Sequence, residues 1–159
     1  MTDDTASTSP RPPSRVRTEW VGAHRFDAGH PGVPTAHIDG ESIMGQSPPD
    51  ALLSALATCS GIDLIDILAK RRTPVERLTI DVEGNRRATP PRRFEHIRLT
   101  FDLVGKGIER VHAERAVHLA FEKYCTVAAS LAPDIAVDAL VVLNGEKGAF
   151  IRQPMFFPP

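Results

Sequence analysis

The feature that most constrains this chain is one long apolar segment, from Ser47 to Pro74. Ser47 is a good N-cap, Pro48 suits the first helical position, and Asp50 lies where a capping-box acid would be favoured by the helix dipole. Pro74 forbids continuation, so the pattern predicts a single helix of about 20 residues. Its large apolar residues are spread around most of the circumference: Leu52, Leu53, Leu56, Leu64, Ile65, Ile67 and Leu68. Such a helix needs cover on more than one face.

The segments around this helix predict an α+β fold with antiparallel pairing. Alternating residues indicate strands at 16–20, 24–27 and 35–39 before the helix, and at 78–83, 97–103 and 135–143 after it. The first of these strands is expected to be half-buried. Helical spacing returns over 109–124. A small sheet covers only one face of the long helix, so we expect an intertwined homodimer in which the two copies of that helix pack together.

The length of 159 residues favours one domain with a real core. We expect a disordered tail over 1–14, a single domain over 15–145 and a C-terminal tail over 146–159. That last segment is too apolar to be left in water, and we expect it to dock on the body or on a second subunit. Its apolar residues are Phe150, Ile151, Met155, Phe156 and Phe157.

The charge balance argues against nucleic-acid and membrane-surface partners. The chain has 19 basic and 20 acidic residues and a formal net charge of −1. No apolar stretch approaches the roughly 18 residues that a spanning helix needs, and we expect no signal-peptide core at the N-terminus. We therefore expect a cytoplasmic protein.

The arginine-rich segment 84–93 predicts an exposed hairpin tip, either simply solvated or serving as an anion or partner site.

The chain has two cysteines, Cys59 and Cys125. In the cytoplasm this number argues against a disulfide framework and leaves two alternatives, inert buried thiols or a redox pair. Cys59 lies in the long helix two residues before Gly61, where a close approach by another backbone is expected. Cys125 is expected at the start of a further helical turn, a setting that lowers a thiol pKa. Six scattered histidines lack ligand spacing, so we expect neither a metal nor a cofactor.

Two motifs together carry a family resemblance. The segment from Ser47 to Asp63, Ser-Pro-x-Asp-x-Leu-Leu-x-Ala-Leu-x-x-Cys-Ser-x-Ile-Asp, and the segment Lys-Tyr-Cys-Thr-Val around Cys125 resemble the OsmC/Ohr family of thiol proteins, most of all its YhfA-like branch. The resemblance implies an obligate swapped dimer, with sheets wrapped around two long central helices. This agrees with the burial argument made from the helix itself.

For the peroxidase members, the resemblance implies that Cys59 attacks an organic hydroperoxide or peroxide and that Cys125 resolves the sulfenic acid as a disulfide. A small dithiol such as a lipoyl group would then reduce the pair. Activation requires a positive group, because Asp63, one turn from Cys59, would raise a thiol pKa. Arg25 is the candidate cation. The family glutamate that would hold it is replaced by Pro49, with Asp50 displaced by one residue.

These departures keep a second hypothesis open. In it, the chain forms a non-peroxidase dimer whose cysteines sense the redox state or line a pocket for a small apolar ligand. Rapid formation of a disulfide between the two cysteines would favour the first hypothesis, whereas a co-purified small molecule and peroxide-resistant thiols would favour the second.

Overall fold

The computed structural model describes residues 12–155. The chain divides into two compact units, with the boundary between Pro48 and Pro49. The expectation of one domain over 15–145 stays a prediction. Most of the expected N-terminal tail, and the residues Phe156 and Phe157, lie outside the described residues.

The first unit is a three-stranded antiparallel sheet, as the alternating pattern predicts. Its strands are paired in sequence order: β1 (Arg17–Gly22), β2 (Arg25–Gly29) and β3 (Ala36–Asp39). Trp20 of β1 faces Phe26 of β2 across the pair, and Trp20 is 67% exposed in this single chain. The expectation that β1 is half-buried therefore does not hold within one chain.

The long helix α1 (Pro48–Lys70) belongs to the second unit from Pro49 onward, and it matches the predicted helix closely at both ends. Its buried face contributes Leu56, Leu64 and Leu68 to the core. A Cβ built on Gly61 would lie 2.7 Å from Cδ1 of Ile80 in the next strand. A side chain, rather than the expected backbone, thus approaches the helix closely at this point. This close approach explains the glycine.

A five-stranded sheet follows, with three helical segments inserted between its second and third strands. The strands are β4 (Arg77–Arg86), β5 (Phe94–Val104), β6 (Ala136–Leu143), β7 (Glu146–Lys147) and β8 (Ile151–Arg152). The inserted segments are α2 (Arg110–Leu119), a π-helical segment (Ala120–Tyr124) and α3 (Thr126–Ser130).

One pairing in this sheet differs from the all-antiparallel prediction. Strands β4 and β5 form an antiparallel hairpin, but β5 and β6 run parallel, with Phe101 opposite Val141. Parallel neighbours need a crossover of a dozen or more residues, and the helical insertion between β5 and β6 supplies it. The structure is therefore α+β, with one parallel pair that strand periodicity could not reveal.

The end of the described chain packs on β6. Strand β8 pairs with β6, the buried Met155 joins the core, and the carboxylate of Asp138 contacts Nε of Arg152 and Nε2 of His96, each at 2.6 Å. The guanidinium of Arg152 and the ring of His96 hold the pKa of Asp138 below its usual value, against the opposing effect of burial. This contact fastens β8 to the two central strands.

The tip of the β4–β5 hairpin carries the arginine-rich segment. Arg93 forms two hydrogen bonds to the carboxylate of Asp134, each at 2.6 Å, and Nε of Arg87 donates to the carbonyl of Pro91 at 2.7 Å. Two of the four arginines thus have partners within the chain. The role of the segment as an anion or partner site stays a prediction.

The length and composition of helix α1 can be compared with those of a helix that spans a membrane. Its length and a mean hydropathy of 1.7 would suit a bilayer-spanning helix, contrary to the expectation that no stretch is apolar enough. The core helix of a soluble protein passes the same test, and residues of α1 do lie in the core of the second unit.

We expect Leu64→Ala to lower the free energy of unfolding by about 2–5 kcal/mol, because Leu64 is fully buried and its truncation leaves a cavity. Chemical denaturation measures the change. Val111→Ala is the control, since Val111 is 63% exposed on α2 and should change stability by less than about 0.5 kcal/mol. Equal effects of the two substitutions would contradict this description of the core.

Candidate functional site

Cys59 lies in the middle of α1, where its side chain is partly buried against the core. Asp63 follows one helical turn later, so its side chain leaves the same face of the helix. The long apolar helix therefore places a thiol and a carboxylate side by side. Both are held on a rigid element rather than on a loop.

Cys125 lies at the junction between the π-helical segment and α3. Its backbone N–H donates to the carbonyl of Ala120 at 2.7 Å, and its Sγ accepts a hydrogen bond from the N–H of Ala128 at 3.3 Å. Cys125 is thus the N-cap of α3, as the sequence predicts, and only 3% of it is exposed. The π-helical turn sets the point at which α2 stops and so fixes the position of the thiol.

The fold brings these three side chains together. Sγ of Cys59, Sγ of Cys125 and a carboxylate oxygen of Asp63 all lie within 4.8 Å of one another. Both cysteines are free. A disulfide requires the two sulfurs to approach to about 2.05 Å, which calls for a local shift of one or both side chains.

Burial dominates the electrostatics of Cys125. The pKa of this thiol is raised to about 12, and desolvation is the largest cause; the hydrogen bond from Ala128 opposes the rise, and the neighbouring Cys59 and Asp63 add to it. The expectation that a helix N-terminus lowers the pKa of Cys125 is therefore wrong. A single N–H at the start of a short helix does not offset burial beside acidic groups.

Asp63 is itself perturbed by its surroundings. Burial, followed by the charge of Asp66, raises the pKa of its carboxyl group. Among the described residues, its Oδ2 is buried without a hydrogen-bond partner. Sequence reasoning treated Asp63 only as part of a motif and an obstacle to the thiolate. Its spacing of four residues from Cys59 was the signal that it belongs to the site.

The two remaining candidate residues are Asp50 and Arg25. Asp50 lies in the first turn of α1, nine residues before Cys59 and therefore about 13 Å away along the axis. Arg25 lies on β2 in the first unit, opposite Asp39 on β3. Hydrogen bonds from backbone N–H groups, of which that of Met44 is the strongest, lower the pKa of Asp39, and Arg25 adds to this effect. The role of Arg25 as the activating cation stays a prediction.

An apolar groove runs along α1 and β4 with a volume of about 490 Å³. It is lined by Ser54, Ala57, Thr58, Gly61, Ile62, Ile65, Leu78 and Ile80. Neither cysteine is among these residues. The groove and the thiol pair are therefore separate features, although α1 contributes residues to both.

Comparisons with known proteins agree with the motifs. A family model described as OsmC-like protein matches residues 39–139. Protein YhfA of Escherichia coli strain K12 is 35% identical over 118 residues, which cover 74% of this chain and 88% of that protein. These matches confirm the resemblance to the OsmC/Ohr family near its YhfA-like branch.

Solved structures agree on the fold. A hypothetical protein from Aquifex aeolicus VF5 has a TM-score of 0.75 at 28% identity, covering 84% of this chain and 98% of that one. The organic hydroperoxide resistance protein OhrB of Bacillus subtilis has a TM-score of 0.53 at 18% identity, covering 82% of this chain and 96% of that one. The second likeness is one of fold alone.

We expect Asp63→Asn to lower the pKa of the Cys125 thiol, because the substitution removes a negative charge that disfavours the thiolate. The comparison is made in a Cys59→Ser background, where Cys125 is the only thiol. The measurement is the rate of alkylation as a function of pH. The control Asp66→Asn removes the same charge from the same helix but should leave the profile of Cys125 in place. An alkylation profile that Asp63→Asn leaves unchanged would refute the conclusion that Asp63 raises the pKa of Cys125.

Proposed function

Because the chain belongs to the OsmC-like family, we propose that it reduces organic hydroperoxides or peroxides with the thiols of Cys59 and Cys125. The observation that carries the proposal is the distance between the two sulfurs, no more than 4.8 Å, although they come from remote parts of the chain. A role in oxidative-stress defence follows from this chemistry. The protein would act in the cytoplasm, where reduced thiols persist.

The difference in exposure supports distinct roles for the two cysteines. Cys59 is partly exposed whereas Cys125 is buried, so Cys59 is the thiol that a peroxide can reach. The Cys59 thiolate attacks one peroxide oxygen, the O–O bond breaks, and the departing alkoxide takes a proton to become an alcohol. Cys59 is left as a sulfenic acid.

Cys125 then resolves this intermediate. Its sulfur attacks the sulfur of the sulfenic acid, hydroxide leaves and takes up the thiol proton as water, and a disulfide joins the two cysteines. A dithiol such as a lipoyl group reduces the disulfide by exchange, so that each turnover consumes one peroxide and one dithiol. The high pKa of the Cys125 thiol suits a resolving thiol that stays protonated until the sulfenic acid forms.

We expect Cys59→Ser to abolish the consumption of cumene hydroperoxide in the presence of a dithiol, since it removes the attacking sulfur. Cys125→Ser should still form a sulfenic acid on Cys59 but no intramolecular disulfide, so turnover should fall and overoxidation should rise. Peroxide assays and intact-protein mass spectrometry measure both effects. Val111→Ala, far from the thiols in sequence and exposed on α2, is the activity control.

Two results would reject the proposal. One is wild-type protein that consumes no peroxide with any dithiol tried. The other is Cys59→Ser protein that retains wild-type turnover.

We also propose that the protein is a homodimer through α1. Helix α1 keeps Ile62 58% exposed and Ile65 42% exposed beside the apolar groove, a pattern that favours cover by another apolar surface. A second copy of α1 presents the same exposed isoleucines, so the contact is self-complementary. Peroxide or an apolar ligand and a dithiol reductant are the other proposed partners, whereas neither nucleic acid nor membrane is proposed.

Ile65→Glu should shift the protein from dimer to monomer, because it would bury a charge in that interface. Light scattering coupled to size-exclusion chromatography measures the mass, and circular dichroism checks that the fold is kept. Val111→Glu places the same charge on an exposed site of α2 and should leave the mass unchanged. A monomeric wild-type protein would contradict the dimer.

The apolar groove favours a second candidate function, in which the protein binds a small apolar ligand or senses the redox state. Native mass spectrometry of the purified protein tests the ligand. A co-purified small molecule together with thiols that resist peroxide would favour this function over the peroxidase.

A further inference from the structure

The cluster of Cys59, Asp63 and Cys125 has a property that peroxide chemistry does not use. It presents two sulfurs and a carboxylate oxygen, all within 4.8 Å of one another. One carboxylate oxygen of Asp63, Oδ2, is buried and lacks a hydrogen-bond partner among the described residues. We propose that, with both thiols reduced, these three side chains bind one Zn²⁺ ion.

The distances fit this ion. Zinc binds thiolate sulfur at about 2.3 Å and carboxylate oxygen at about 2.0–2.2 Å in tetrahedral sites. Those bond lengths place the ligand atoms roughly 3.5–3.8 Å apart. The distances between the ligand atoms therefore need to shorten by about 1.3 Å at most for the cluster to close around the metal. Three protein ligands leave the fourth position for water or another small ligand.

The elements that carry the ligands are suited to the purpose. Cys59 and Asp63 are four residues apart on α1, the spacing by which helices present two ligands to one ion. Cys125 comes from the junction before α3, so the ion would join the long helix to the crossover segment. The absence of histidine from this ligand set explains why a search for histidine spacing in the sequence predicts no metal.

The donor types also select the ion. Two thiolates favour zinc and other thiophilic metals over Mg²⁺ and Ca²⁺, which require oxygen ligands. Zn²⁺ displaces the protons of both thiols, and the resulting thiolates and the carboxylate carry three negative charges against the two positive charges of the ion. The metal-bound cluster therefore carries a net charge of −1, the same as the ionised carboxylate beside two protonated thiols.

The proposal needs only the reduced thiols and stands independently of peroxide turnover. A disulfide uses both sulfurs, so zinc and the disulfide exclude each other. If the peroxidase proposal also holds, one hydroperoxide takes two electrons from the pair and two protons from solvent. The products are an alcohol, water, the disulfide and the released ion.

Cobalt titration of the reduced, full-length protein tests the inference. We expect one equivalent of Co²⁺ to give a thiolate-to-cobalt charge-transfer band and tetrahedral d–d bands, and Zn²⁺ to displace it. Asp63→Asn should weaken Zn²⁺ binding by at least the roughly 10–100-fold that the loss of a group supporting a metal ligand costs, since it removes a ligand itself; competition with a chromophoric chelator measures the change. Asp66→Asn, which removes a charge from the same helix outside the cluster, should bind as the wild type does.

Two outcomes would overturn the zinc site. One is an octahedral cobalt spectrum without a charge-transfer band, and the other is equal weakening by Asp63→Asn and Asp66→Asn. Peroxide-driven disulfide formation in Asp63→Asn is a separate readout, because it requires only the cysteines. Loss of zinc with retention of the disulfide would support the metal site, and failure of the disulfide alone would refute only the peroxidase proposal.

Discussion

The packing of α1 against the second sheet is the contact on which the rest of this structure depends. Leu56, Leu64 and Leu68 are fully buried on one face of the helix, and the close approach of Ile80 to Gly61 sets the spacing to β4. That face fixes the rotation of the helix about its axis. The rotation in turn decides that Cys59 and Asp63 point toward Cys125 rather than into solvent. A core contact thus positions the chemical groups.

Burial of the thiols disfavours the thiolate form that both proposals use. The packing that brings the sulfurs together buries Cys125, and this burial is the largest of the causes that raise the pKa of its thiol to about 12. Cys59 and Asp63 contribute to the same rise. A positive charge at the site, either a side chain or a bound metal ion, would favour the thiolate form. The peroxidase and zinc proposals are two answers to this one electrostatic problem.

The crossover between β5 and β6 connects fold and site in a second way. Because these strands run parallel, the chain must return across the sheet, and it does so through α2, the π-helical segment and α3. Cys125 lies at the junction between the π-helical segment and α3, where the N–H of Ala128 donates to its sulfur. The parallel pairing therefore creates the turn that presents the second thiol.

The sequence by itself determined the long helix, most of the strands, the two cysteines and the family, because caps, prolines and hydrophobic periods are local signals. Tertiary structure decided the parallel pairing of β5 and β6, the inclusion of Asp63 in the site and the direction of the Cys125 pKa shift. Each of these depends on which remote segments become neighbours and on how much water they exclude. Periodicity along the chain contains no information about either quantity.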